Sequence, residues 1–237
     1  MTRTIIEAFA YALRSAEKLL LDPLRYIDGR GYHAERFWKE RFQRHGGSLR
    51  GPGHEGWSEE QNAAAYAMAR ERLSALLDAY GIKGSACRAT EIGPGTGVWT
   101  ELLHQRGLVR VVAQDITDAR FEDLRNRFPE YSFIKDDATE RFPVEPADLI
   151  LVLDVIEHVV EVERLHSLLG LAQERLVPGG LLFLSFPPPG ASRRNRFYLH
   201  YWTEQEVGLP LTNCELVERI SFRDGILLGF RKLEIPG

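Results

Sequence analysis

The sequence predicts an α/β protein: a seven-stranded, mostly parallel sheet with helices on both faces and a helical cap at the N-terminal end. Three observations predict it. After Gly84, strand-like apolar runs alternate with helix-like segments, the order of a parallel sheet joined by crossover helices. The first run ends in a glycine-rich turn, Gly93-Pro94-Gly95-Thr96-Gly97, that leads into a helix near Val98. The last two runs are separated by Phe222-Arg223-Asp224-Gly225, whose Asp-Gly pair is a hairpin signal.

Taken in order, residues 4–21 place Ile5, Ile6, Phe9, Leu13, Ala16 and Leu20 at helical spacing. Thr4 and Glu7 form a capping box for this helix, and Asp22-Pro23 ends it. Between Tyr26 and Trp57, aromatics, arginines and the glycines of Gly46-Gly47 and Gly51-Pro52-Gly53 predict sparse regular structure, a lid or linker. Ser58 with Gln61 then caps a long helix that runs through Tyr80 to Gly81. Residues 1–80 are thus expected to form a cap or lid, and residues 81–237 the sheet domain. Strands are expected at residues 88–92, 109–115, 131–135, 148–153 and 181–186, with an antiparallel edge pair at 215–221 and 226–231.

A chain of 237 residues can bury a sizeable core, and 44% hydrophobic with 27% charged residues is ordinary globular usage. A net charge of -4 offers nothing to a phosphate backbone and argues against nucleic acid. Cys87 and Cys214 lack the paired spacing of a zinc site and read as reduced thiols. Glu7, Arg14, Glu17 and Lys18 interrupt any secretory apolar core, and no stretch reaches the length of a membrane span. A cytoplasmic protein, monomeric or homodimeric, is expected.

The glycine turn lets the backbone take positive φ and lets a ligand approach without a Cβ in the way. Val98 stands where the dinucleotide fingerprint requires glycine or alanine, which turns the reading away from NAD. Gly-x-Gly-x-Gly behind the strand-end acid Glu91 instead resembles motif I of the S-adenosylmethionine-dependent methyltransferases. Asp115, ending the second strand, is placed to accept both ribose hydroxyls. The stretch from Asp148 to His158 resembles the family's fourth motif, and Pro178-Gly179-Gly180 its late turn before strand five. The resemblance covers roughly residues 85–235 and is to class I, small-molecule enzymes, nearest the ubiquinone-pathway O-methyltransferase group.

That resemblance implies a Rossmann-like fold and S-adenosylmethionine as cofactor, held by Glu91, Gly93, Gly95, Gly97, Asp115, Ile116, Asp137, Ala138 and Asp154. Glu91 would hold the ammonium, and Asp137, with Asp136 as alternative, the adenine amino group. Methyl transfer needs alignment and, for a hydroxyl acceptor, a base. His158, at the carboxyl edge of the sheet, is the candidate catalytic base. Asp154, Glu157, His158 and His200 also resemble a divalent-metal set of ubiquinone-pathway and small-RNA methyltransferases, with Asp154 in place of the usual Glu.

Arg196 and Tyr201, in a basic and aromatic cluster, are expected to bind the acceptor together with His200 and with Trp57 from the lid. The expected activity is methyl transfer to an oxygen, secondarily a nitrogen, of a small polar metabolite such as a sugar or phenol. Two alternatives are a metal-assisted RNA 2′-O-methyltransferase and a non-catalytic cofactor-binding scaffold.

Overall fold

The computed structural model describes residues 20–29 and 31–234. The helix expected over residues 4–21 lies, apart from its last two residues, outside the described residues. The described chain begins with α1 (Asp22–Tyr26), a two-residue hairpin of β1 (Ile27–Asp28) and β2 (Gly31–Tyr32), α2 (Ala34–His45) and α3 (Glu59–Ala79).

The twelve-residue helix α2 corrects the expectation of sparse regular structure between Tyr26 and Trp57. It buries Phe37, Arg41 and Phe42, a helical face that its many charged neighbours obscure in the sequence. Arg41 is tolerated inside because Nε donates to the Gly51 carbonyl (2.7 Å) and Nη2 to that of Gly53 (2.8 Å). Those bonds fold the Gly51-Pro52-Gly53 turn back over the helix. The Ser58 capping box is present: Ser58 Oγ accepts from Gln61 N–H (3.2 Å) and Gln61 Oε1 from Ser58 N–H (2.9 Å).

The sheet domain then runs β3 (Arg88–Ile92), α4 (Val98–Gln105), β4 (Arg110–Asp115), α5 (Phe121–Arg127), β5 (Ser132–Lys135), β6 (Ala147–Leu153), a 3-10 turn (Ile156–His158), α6 (Val162–Arg175), β7 (Leu176–Phe186), α7 (Glu204–Gly208), β8 (Cys214–Phe222) and β9 (Gly225–Lys232). Seven strands form one sheet in the order β5-β4-β3-β6-β7-β9-β8. Strands β3 to β7 pair in parallel; β9 is antiparallel to β7, and β8 to β9. The fold is the expected Rossmann-like one.

Alternation along the strands loads both faces. Leu149, Leu151 and Leu153 of β6 meet α3, α4 and α5 through Leu73, Leu77, Leu103 and Leu124. Ile150 and Val152 point the other way, against Leu165, Leu168 and Leu169 of α6 and Val207 of α7. Strand β7 starts before residue 181 because Leu176 already pairs with Ala147, ahead of an irregularity in register. In the last hairpin Phe222 pairs with Gly225, so the two loop residues are Arg223 and Asp224, and Arg223 takes φ +49°. Gly225 is the first strand residue, not a turn centre: a Cβ there would run into the Phe186 carbonyl.

Register brings Ile92 level with Gln114 on one side and Val152 on the other. The carboxyl ends of β3, β4 and β6 therefore open onto one crevice, at the point where the strand order reverses.

Candidate active site

The glycine turn leaves β3 with positive φ at Gly93 (74°), Gly95 (53°) and Gly97 (85°). Gly93 and Gly95 line a narrow cavity of about 130 Å³, whereas Gly97 is not among its lining residues. A Cβ on Gly93 would stand 2.5 Å from Val155 Cγ2, and one on Gly97 2.6 Å from Leu124 Cδ2. Gly97 thus serves the packing of α5 and the left-handed N-cap of α4 rather than the cavity.

Asp115, Ile116, Asp137, Ala138, Asp154 and His158 line the same cavity. Burial pushes the Asp115 carboxyl up to about 6, against backbone N–H groups of Thr117, Gly95 and Ile116 that favour its anion. Asp137 accepts the N–H (2.9 Å) and O–H (2.7 Å) of Thr139 on one oxygen and pairs with Arg164 through the other. Asp136, also lining the cavity, accepts the Asp137 N–H at 2.9 Å.

Glu91 is displaced from its expected position. It is 1% exposed, lies beneath the loop and is absent from the cavity lining. Thr100 O–H in α4 donates to Oε2 (2.8 Å), Oε1 has no partner, and burial raises the carboxyl to about 7.

The roof comes from residues 38–52, within the stretch expected to be a lid or linker. Trp38 and Phe42 of α2 and Pro52 of the following turn line the cavity, with Pro52 Cβ 3.2 Å from where a Gly95 Cβ would stand. Behind this roof, Tyr26, Phe37 and Tyr198 form a separate buried aromatic cluster. The indole of Trp38 meets the His158 ring edge-on at 4.7 Å.

A second, wider cleft of about 940 Å³ adjoins the first and shares Pro52, Asp154 and His158 with it. Trp57, Arg196 and Tyr201, the residues expected to bind the acceptor, line this cleft, and so do Glu157, Tyr198 and Arg223. His200 does not line it. Its ring stacks on Trp202 at 3.8 Å and its backbone N–H donates to the Glu157 carbonyl (2.7 Å), which draws it out of the cleft.

His158 donates from Nδ1 to the Tyr198 carbonyl (2.9 Å). A carbonyl only accepts, so in the neutral ring Nε2 carries the lone pair. Asp154 takes φ +58° and is held twice: Ser185 O–H donates to Oδ1 (3.0 Å), and Arg223 forms an ion pair with Oδ2.

These positions correct the metal expectation. Asp154 is engaged by Arg223, His200 is stacked on Trp202, and among the described residues no group of three or more His, Cys, Asp or Glu could hold a metal ion. Arg223 itself has no sequence signal for the site; a hairpin turn at residue 223 enters it only through the antiparallel return of β9 beside β7.

The chain belongs to the methyltransferase-domain family, whose model matches residues 33–220. More particularly, it is a class I S-adenosylmethionine-dependent methyltransferase. Among solved structures, it is similar to magnesium protoporphyrin IX methyltransferase from Synechocystis PCC 6803 with bound S-adenosylmethionine. That pair is 16% identical, covering 84% of this chain and 97% of the other, with TM-score 0.66. The N-methyltransferase NodS from Bradyrhizobium japonicum WM9, in complex with S-adenosylhomocysteine, is 21% identical, covering 71% and 88%, with TM-score 0.60. DesVI from Streptomyces venezuelae is 12% identical, covering 70% and 91%, with TM-score 0.59. No curated protein matches the chain. Among the described residues no helix is long and apolar enough to cross a membrane.

Proposed function

We propose that the enzyme methylates an oxygen of a small polar acceptor such as a sugar or phenol, with His158 as the base. One observation carries this reading: His158 lies on both cavities, its Nδ1 committed to the Tyr198 carbonyl so that Nε2 is the proton-accepting nitrogen. The narrow cavity is the donor site and the wider cleft the acceptor site.

The donor site fits its cofactor on two counts. Gly93 and Gly95 offer backbone where a side chain would fill the cradle, and the half-buried Asp115 carboxyl lines it. S-adenosylmethionine supplies an electrophilic methyl group on a sulfonium. Asp115 would accept from the ribose hydroxyls, with Ile116 beside it, and Asp136 or Asp137, with Ala138, would meet the adenine edge. Trp38, Phe42 and Pro52 exclude water from above.

On the acceptor side, Trp57, Tyr201 and Arg196 offer stacking faces and a cation, suited to a ring with polar substituents. Magnesium protoporphyrin IX methyltransferase, named for a small-molecule acceptor, supports that size class.

The test separates binding from chemistry. His158→Gln should lower kcat by about 100-fold or more on a hydroxyl acceptor, while calorimetric affinity for S-adenosylhomocysteine stays within about threefold. Unchanged turnover in that variant removes His158 from the base role.

A further inference from the structure

The roof of the donor cavity is fastened by one buried side chain. A Cβ on Gly95 would stand 3.2 Å from Pro52 Cβ and 3.8 Å from Phe42 Cζ, so these two side chains take up the space that the glycine leaves open. Pro52 has no backbone N–H with which to hold itself there. The carbonyls on either side of it are held instead: that of Gly51 accepts from Arg41 Nε (2.7 Å) and that of Gly53 from Arg41 Nη2 (2.8 Å).

Arg41 is built into this place. It is 8% exposed, and its guanidinium carbon lies 5.2 Å from the centre of the Trp38 ring, another roof residue. The turn itself has little slack. Gly51 N–H donates to the Ser48 carbonyl (3.0 Å) and Gly53 N–H to that of Leu49 (2.8 Å), and a Cβ on Gly53 would stand 2.4 Å from Asn62 Oδ1. A planar fork meets two carbonyls at a set angle, and its charge makes each bond stronger than one between neutral groups. Arg41 also borders the acceptor cleft, but Nε and Nη2 are already spent on the turn.

We propose that Arg41 is a positioning residue for the methyl donor: by holding the Gly51 and Gly53 carbonyls it seats Pro52 over the glycine turn and slows the escape of the bound cofactor. The proposal rests on the donor-site reading above. Arg41 touches the cofactor nowhere in this scheme and acts through Pro52 alone. Its removal therefore changes how long the ligand stays, and it changes nothing further once Pro52 is gone.

The experiment measures affinity and dissociation rate of radiolabelled S-adenosylhomocysteine on the full-length protein, the latter by a chase with unlabelled ligand. Arg41→Met should weaken binding by about 10-fold, most of it as faster dissociation. Pro52→Gly should weaken it at least as much, and the double variant should lie within about threefold of Pro52→Gly alone, since two residues acting through one contact do not add. Arg41→Lys keeps the charge and loses the fork, and should dissociate about threefold faster than wild type or more. Thermal midpoints show which variants are folded at the working temperature. A loss of stability alone lowers the midpoint and leaves the affinity of the folded enzyme as it is. If Arg41→Met does not fold, Arg41→Lys with Pro52→Gly closes the same cycle.

Wild-type affinity in Arg41→Met, a wild-type dissociation rate in Arg41→Lys, or losses that multiply in the double variant would each overturn the proposal. Failure of the donor-site reading looks different. In that case Asp115→Asn, on strand β4, leaves the affinity for S-adenosylhomocysteine unchanged. Weak binding in Asp115→Asn beside wild-type binding in Arg41→Met keeps the site and removes only the role of Arg41.

Discussion

Asp115 and Glu91 lie within one strand of each other and both titrate near neutrality, because burial removes water from their anions. In the proposed ribose role Asp115 accepts from two hydroxyls as its anion, so affinity for S-adenosylhomocysteine should fall as pH drops through about 6, and calorimetry from pH 5 to 8 reads it. Asp115→Asn should weaken binding by about 10- to 100-fold at pH 8 and flatten that dependence. Glu91 acts on stability instead. Its folded value, about 7, is above its ordinary 4.5, so its contribution is complete below 4.5 and is lost as pH rises to 7. Glu91→Gln retains an acceptor for the Thr100 hydroxyl and should stabilise the unliganded enzyme at pH 8 by on the order of 2–3 kcal/mol, with little effect near pH 4. Urea unfolding at the two pH values decides it.

At the scale of elements, regular periodicity was legible and close approach was not. Strand β3 begins and ends at the expected residues, 88 and 92, and the Ser58 box starts α3 as read, since both signals are local. Helix α2 escaped notice because its buried face includes Arg41, which only the carbonyls of Gly51 and Gly53 make tolerable. The same limit applies in the site. Gly93, Asp115 and His158 stand on the crevice because strand ends put them there, whereas the side chain of Glu91 turns inward and that of His200 is captured by Trp202. Glycines also divide by element: Gly97→Ala would combine a left-handed φ with a Cβ 2.6 Å from Leu124. It should cost about 2–4 kcal/mol of stability, from backbone strain plus overpacking. The cost should be visible in the thermal midpoint without cofactor.

For the whole molecule, the proposed donor site is lined from β3, β4 and β6 and from α2 and its following turn, so a ligand filling it would touch all of them. S-adenosylhomocysteine at about 100 times its Kd should add about 2.7 kcal/mol and raise the thermal midpoint of a chain this size by about 5–11 °C. A scanning calorimetry series in ligand concentration checks the expected logarithmic rise.

Pro52 rests on Gly95 and also borders the acceptor cleft. A single turn of chain is therefore the door of the inner chamber and a wall of the outer one. An acceptor seated against that wall would stand across the way out of the inner chamber, and the order then expected is donor in first, methylated product out first, spent donor out last. Steady-state inhibition expresses that sequence. A dead-end analogue of the acceptor should act uncompetitively towards S-adenosylmethionine, and noncompetitive inhibition would mean that the two chambers fill independently.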